Sequence, residues 1–344
     1  MGKGEKARIV EKYLEEYIDE LKEFRMTKMG LARLIYQDYD NIFMNVEEAR
    51  TYVRRCTGSN KNGNEKDMMI VNEDFRFVSS TKESMKALFP KSLTIDKTPY
   101  VIDGIKKLLI FSDVHLPYHN LEAINTMFTY CEDKEIDGIL INGDLLDFYG
   151  ISRWDKAPDK PKMREEFEMA HEFFTVLREM FPVIPIIFKL GNHDARWEKY
   201  LISKAPELFG IPEFRLDKIL KLDEHKITMI DEKRLMKFGK LNIIHGHEFG
   251  ESTFSPVNAA RGLFIRAKCN ILAGHNHQSS EHNESNVNGE NMACWSIGCL
   301  SELTPDYRPF AYTKWNYGFA IVTMKDESGN FSMSNLRIIN GQVL

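Results

Sequence analysis

Five short apolar runs of strand length in this chain end alike: each is followed within one to four residues by aspartate, asparagine or histidine, in four cases beside glycine. Leu108–Phe111 precedes Asp113-Val114-His115. Ile139–Ile141 precedes Gly143-Asp144-Leu145-Leu146-Asp147. Val183–Phe188 precedes Gly191-Asn192-His193-Asp194. Leu241–Ile244 precedes His245-Gly246-His247, and Asn270–Ala273 precedes Gly274-His275-Asn276-His277. A sixth run covers Phe319–Thr323, and helical patterns over Leu121–Cys131 and Arg164–Phe181 lie between the early runs. Strands alternating with helices predict an α/β sheet. In such sheets ligands bind beyond the carboxyl ends of the strands, so five strand ends can converge on one crevice.

The residue types define the chemistry of that crevice. Six of the ten histidines fall in the clusters, whereas the five cysteines are scattered and never form CxxC. Cys-type structural zinc is therefore excluded, and a nitrogen and oxygen ligand set suits Mn²⁺, Fe or Zn²⁺. Seven ligands can be counted: Asp113, His115, Asp144, Asn192, His245, His275 and His277. One ion needs about four to six, so seven suffice for two ions if one carboxylate bridges. Paired metals about 3.5–4 Å apart are a recurrent device for hydrolysing phosphate esters.

The set DxH, GDxxD, GNHD, HGH and GHxH, over roughly residues 105–325, resembles the calcineurin-like metallophosphoesterase superfamily. The resemblance implies an α/β fold, a sandwich of two β-sheets flanked by helices, with a dinuclear metal centre. By motif position, Asp113, His115, Asp144 and His277 hold one ion, and Asp144, Asn192, His245 and His275 the other, with Asp144 as the bridge. His193 matches the catalytic histidine and Asp147 the carboxylate that orients it. The implied chemistry is attack by a metal-bridging hydroxide, with His193 protonating the leaving group as general acid. Spacing alone leaves His245 and His247 both open as ligands; the family pattern favours His245. Protein serine/threonine phosphatases of this superfamily carry Asp-Arg-Gly at the end of the second motif and glutamate after the third-motif histidine. Here Phe148 and Tyr149 follow Asp147, and Asp194 follows His193, which argues against a protein phosphatase; the combination SDVHL, GDLLD and GNHD looks closer to the exonuclease and phosphodiesterase branch.

Around the motifs, Arg153, Arg196 and Arg261 are candidates for holding substrate phosphate. Trp154 and Trp197 are candidates either for stacking on a base or for packing in the core. The amino-terminal part differs in character. Amphipathic helices are expected over residues 5–24, Lys28–Gln37 and Val46–Arg55, the last with Asn45 as N-cap and Glu48 at the capping-box position. The last two resemble a helix-turn-helix. Residues 25–66 carry eight Lys and Arg against five Asp and Glu, with Arg50, Arg54 and Arg55 on one helix, in a chain whose net charge is −5. One reading of this module is nucleic-acid docking, and the alternative is packing or oligomerisation.

The expected organisation is a small all-α module over 1–60, a lead-in over 61–104, a metallophosphoesterase domain over 105–325 and a carboxy-terminal extension over 326–344. No apolar run approaches membrane-spanning length, and the first residues lack a signal-peptide pattern, so a cytoplasmic protein without membrane contact is expected. The expected activity is hydrolysis of phosphate esters with two divalent ions, most simply Mn²⁺, on phosphodiesters that include nucleic acid. The rivals are a phosphatase of nucleotides or other small monoesters, and a non-catalytic scaffold of the same fold.

Overall fold

The computed structural model describes residues 3–22, 25–57, 97–153, 162–250, 257–305 and 312–344. The chain separates into two compact units, Met1–Thr94 and Ile95–Leu344. The linker composition at 58–67 and Trp154 lie outside the described residues.

In the first unit the helices are α1 (Lys3–Glu16), α2 (Ile18–Lys22), α3 (Lys28–Asp38) and α4 (Val46–Cys56). The expected single helix over 5–24 is interrupted at Tyr17. Thr27 and Asn45 cap α3 and α4 by accepting from the backbone N–H of Gly30 and Glu48. The return arm of the cap runs one residue further back than a capping box, since Glu48 accepts from Met44 N at 2.7 Å. Val10, Leu14, Leu31, Ile35, Phe43 and Val53 close a small core of their own.

The second unit contains two sheets. The strands of the larger sheet are β2 (Lys107–Phe111), β3 (Gly138–Asn142), β4 (Ile186–Lys189), β5 (Ile227–Ile230), β11 (Tyr317–Met324), β12 (Phe331–Ile339) and β13 (Gln342–Val343), in the order β13-β12-β11-β2-β3-β4-β5. The smaller has β1 (Tyr100–Val101), β6 (Met236–Phe238), β7 (Leu241–Ile243), β8 (Ile271–Ala273), β9 (Ser280–Ser285) and β10 (Asn291–Ser296), in the order β1-β6-β7-β8-β10-β9. β2, β3, β4 and β5 run parallel, as do β7 and β8. Residues 331–343, expected as an extension, therefore belong to the larger sheet.

Strand side chains alternate between faces, and here both faces are buried. Leu108, Ile110, Leu140 and Ile187 point between the sheets and pack on Met236, Phe238, Ile243 and Leu272. Leu109, Phe111, Ile139, Ile141 and Phe188 point the other way, onto α5 (Leu121–Cys131) and α6 (Met163–Met180). On the far side of the smaller sheet, Leu263 and Phe264 of α9 (Ala259–Ala267) pack on Ile271 and Cys294. α7 (Arg196–Lys204) and the short α8 (Leu216–Ile219) add to the helical layer on the larger sheet. The result is the expected sandwich flanked by helices. β2, β3 and β4 of one sheet and β7 and β8 of the other deliver their following loops to one place.

Candidate metal centre

The loops after these strands use backbone that side chains seldom adopt. Asp113, His115, Asp144, His275 and His277 all have positive φ, between 52° and 64°. Such left-handed residues cluster at functional sites, where surrounding contacts hold them. The motif glycines explain how the loops interlock. A Cβ on Gly143 would run into the His245 ring, and one on Gly191 into the Asp144 carboxylate. Each of these glycines leaves room for a polar side chain from another motif.

Three groups of side chains bring potential ligand atoms within 4.8 Å of one another: Asp113, His115 and His277; Asp144, His245 and His275; and His115, Asp144 and His193. Asp144 belongs to two of them. His245 Nε2 lies 3.2 Å from Asp144 Oδ2, and His277 Nε2 lies 3.1 Å from Asp113 Oδ1. Asn192 presents a buried Oδ1 that accepts no hydrogen bond, and the same holds for Asp113 Oδ1. His247 is turned away, 3.5 Å from Glu232. His245 is thus the member of the HGH pair that reaches the cluster.

Two buried carboxylates side by side require compensating positive charge. Burial raises the Asp113 carboxyl, but His277 and His245 outweigh it and hold the group below the usual carboxylate range. Burial also opposes ionisation of Asp144, and His245 and His193 overcome it. Conversely, burial disfavours charge on His245, but Asp144 drives its pKa up to about 10. His277 is raised by Asp113 against burial, whereas burial and His245 push His275 down to about 4. The imidazoles of His245 and His277 are the groups that face these carboxylates. Divalent cations would supply the compensating charge, and the unpartnered Asp113 and Asn192 oxygens fit such ions.

Asp194 pins the second motif to the third. Its carboxylate accepts from the backbone N–H of Asp144, Gly191 and Leu146 at 2.7, 2.8 and 3.0 Å. Asp147 Oδ1 lies 3.0 Å from His115 Nδ1 and 3.2 Å from His193 Nδ1. Burial opposes ionisation of Asp147, and its hydrogen bonds with His115 and His193 outweigh burial, holding it below the usual range. On the other side of the His193 ring, Arg196 Nη2 lies 3.0 Å from Nε2, while Nη1 donates to Asp147 O at 2.7 Å.

The remaining sequence candidates separate. Arg196 is inside the cluster. Arg153 and Arg261 are exposed, the latter on α9. Trp197 is buried, donates to Phe214 O and packs edge-on against Phe167, so it is a core residue with no face for a base. Two site neighbours were missed from the sequence. Trp315 lies 4.3 Å ring to ring from His277. Glu166 is fully buried and accepts from Phe148 N at 2.6 Å. Trp315 stands in a polar stretch before β11, and Glu166 is one of several charges in an amphipathic helix, so no local pattern marks either.

A family model for calcineurin-like phosphoesterases matches residues 106–297, which include every one of these strand-end motifs. The chain belongs to the calcineurin-like phosphoesterase family. This phosphoesterase is accordingly a metal-dependent hydrolase of a family that works with two metal ions. It is 25% identical over 229 residues to the Gene 54 protein of Mycobacterium phage L5, across 64% of this chain and 89% of that one. The Gene 54 protein of Mycobacterium phage D29 matches with the same identity and extent. Among solved structures it is similar to Vacuolar Protein Sorting 29 of Cryptosporidium parvum, with TM-score 0.38, 14% identity and coverage of 70% and 96% of the two chains. It is also similar to YfcE, a phosphoesterase from E. coli, with TM-score 0.29, 14% identity and coverage of 66% and 98%. Among the described residues, no helix is long and apolar enough to cross a membrane.

Proposed function

We propose that the phosphoesterase hydrolyses phosphodiesters, nucleic acid among them, with Mn²⁺ as the metal. The carrying observation is the sharing of Asp144 between two ligand groups that meet at buried carboxylates. Asp113, His115, Asp144 and His277 would hold one ion, and Asp144, Asn192, His245 and His275 the other. Bound there, the ions supply Lewis acidity toward the phosphoryl oxygens and lower the pKa of water.

The protein residues do the rest. Asp147 holds His193 through Nδ1 and so directs Nε2 toward the crevice. From Nε2 the imidazole delivers the proton that the leaving alkoxide needs. A guanidinium only donates, so Nε2 accepts while Arg196 faces it. Substrate phosphate gives Arg196 an anionic partner; with the guanidinium turned to the phosphoryl oxygens, Nε2 can take a proton from solvent and pass it to the leaving alkoxide. Phe148 counts against a protein phosphatase. It occupies the position after Asp147 where protein phosphatases carry arginine, and its side chain is fully buried.

Nucleic acid would dock through the amino-terminal helices. Arg54 and Arg55 are exposed in the last turn of α4.

A panel of Mn²⁺-loaded assays tests this reading: a bis-aryl phosphodiester, the matching aryl monoester, nucleotides and DNA. The diester should be preferred over the monoester by at least about tenfold. The reverse ratio would replace the diester reading with a phosphatase of small monoesters. A fragment covering Ile95–Leu344 should keep its rate on the small diester and lose DNA affinity, while the intact chain's DNA affinity should fall steeply with salt. Unchanged DNA binding by the fragment would remove the docking role of the helices.

A further inference from the structure

Lys189 is buried and Glu248 partly buried beside the site, and Glu248 reaches the backbone of His245. Lys189 is the last residue of β4, and its side chain is completely buried. Its ammonium lies 3.1 Å from Glu248 Oε1, and also donates to the backbone carbonyls of Arg234 at 3.0 Å and Asp231 at 3.3 Å. Glu248 in turn accepts from the backbone N–H of His245 at 3.0 Å through Oε1, and from that of Gly246 at 2.7 Å through Oε2.

We propose that Lys189 and Glu248 form a buried strut that positions His245, and so sets the affinity of the second metal ion separately from the first. This rests on the reading of Asp144, Asn192, His245 and His275 as ligands of one ion.

In the turn after β7 the His245 carbonyl still accepts from Gly274 N–H at 2.7 Å. Gly246 sits at φ 133°, and a Cβ there would meet the Cβ of His275. The N–H groups of His245 and Gly246 take a carboxylate as acceptor in place of a neighbouring strand. The His245 ring is fixed at its other nitrogen, since Nδ1 lies 2.7 Å from Asn142 O. With the turn and Nδ1 both held, Nε2 has one direction, toward Asp144. Lys189 supplies the charge that makes a buried carboxylate tolerable at this point. The loop that leaves β4 carries Asn192, three residues after Lys189. The strut therefore joins the strand that leads to one ligand of the second ion to the turn bearing another. Asp113, His115 and His277 depend on β2 and β8 and do not touch it.

The test is Mn²⁺ titration of the chelator-stripped full chain by calorimetry, alongside its metal-free melting temperature. The variants are Glu248→Gln, Glu248→Asp and the double variant Lys189→Met with Glu248→Gln. The double variant leaves no lone buried charge, so it keeps the comparison available if single variants do not fold. One ion should bind with an affinity within about twofold of wild type. The other should weaken about 10–100-fold, the usual effect of losing a group that orients a ligand. Glu248→Asp keeps the charge but withdraws the oxygens, and should show the same selective loss. Wild-type affinity for both ions in the double variant would overturn the proposal. Equal weakening of both ions that tracks the fall in melting temperature would also overturn it, by making the strut purely structural. Wild-type protein binding fewer than two ions would instead contradict the metal-centre reading beneath it.

Discussion

The two units place their polar groups in opposite ways. In the helical unit the core is apolar, and charges pair at the surface, as in Arg50 with Glu47. α3 and α4 are closed by local caps, and none of the unit's described residues has positive φ. In the phosphoesterase unit the carboxylates of Asp113, Asp144, Asp147 and Asp194 are buried, and five of the candidate ligands have left-handed backbone. The first arrangement is locally satisfied and would survive most single changes. The second is tolerable only because the motifs hold one another: Asp194 pins Asp144, Asp147 holds His115 and His193, and Glu248 holds the His245 turn.

If that contrast is right, damage should be largest at residues shared between motifs. Asp144→Asn should lower the number of bound ions below one per chain in elemental analysis, and reduce hydrolysis more than about 10³-fold, beyond the 10–100-fold typical of an outer partner. Asp113→Asn should cost less metal. His193→Ala should lower kcat by about 10²–10⁴-fold with metal content retained. The loss should be smaller for esters with a nitrophenolate leaving group, which needs little protonation. Equal losses on activated and unactivated esters would deny His193 its proton.

Glu166 gives the contrast a pH signature. Burial first, and Asp147 after it, raise its pKa to about 8 from an ordinary 4.5. A carboxyl raised in the folded state keeps its proton there while the unfolded chain has lost it. Stability therefore falls as pH rises from about 4.5 to about 8, by a few kcal/mol at most, since each pKa unit is about 1.4 kcal/mol. Glu166→Gln should flatten that slope in chemical unfolding, raising stability at pH 8 and changing little at pH 4.5. A smaller effect is expected in the helical unit. Asn45→Ala should cost about 1 kcal/mol there and leave hydrolysis of a small diester unchanged. A large loss of hydrolysis would mean that the two units do not behave separately.

The same contrast explains what could be read before folding. Leu121–Cys131 has in the structure the bounds its apolar periodicity predicts, and the strand-end motifs stand where the strand runs put them. Both signals are local. β9, Ser280–Ser285, is a polar edge strand with no apolar alternation to reveal it. β12 escaped for another reason: its alternating Phe331 and Met333 follow a turn near the end of the chain and were assigned to an extension. Within the site, aspartate and histidine types announce metal chemistry, but the partner that fixes each ligand comes from a distant segment. Lys189 reads as an ordinary strand-end charge, and only the fold brings it to Glu248. Trp197, beside GNHD, is open to two readings from sequence, stacking or packing, and the fold buries the ring in the core.

The central claim is a pair of metal ions sharing Asp144. The direct measurement is Mn²⁺ titration of the chelator-stripped full chain, with bound ions counted and diester hydrolysis followed in the same samples. The account predicts two ions per chain, hydrolysis that appears as the second ion binds, and none in excess chelator. Saturation at one ion, or full hydrolysis with chelator present, would contradict it.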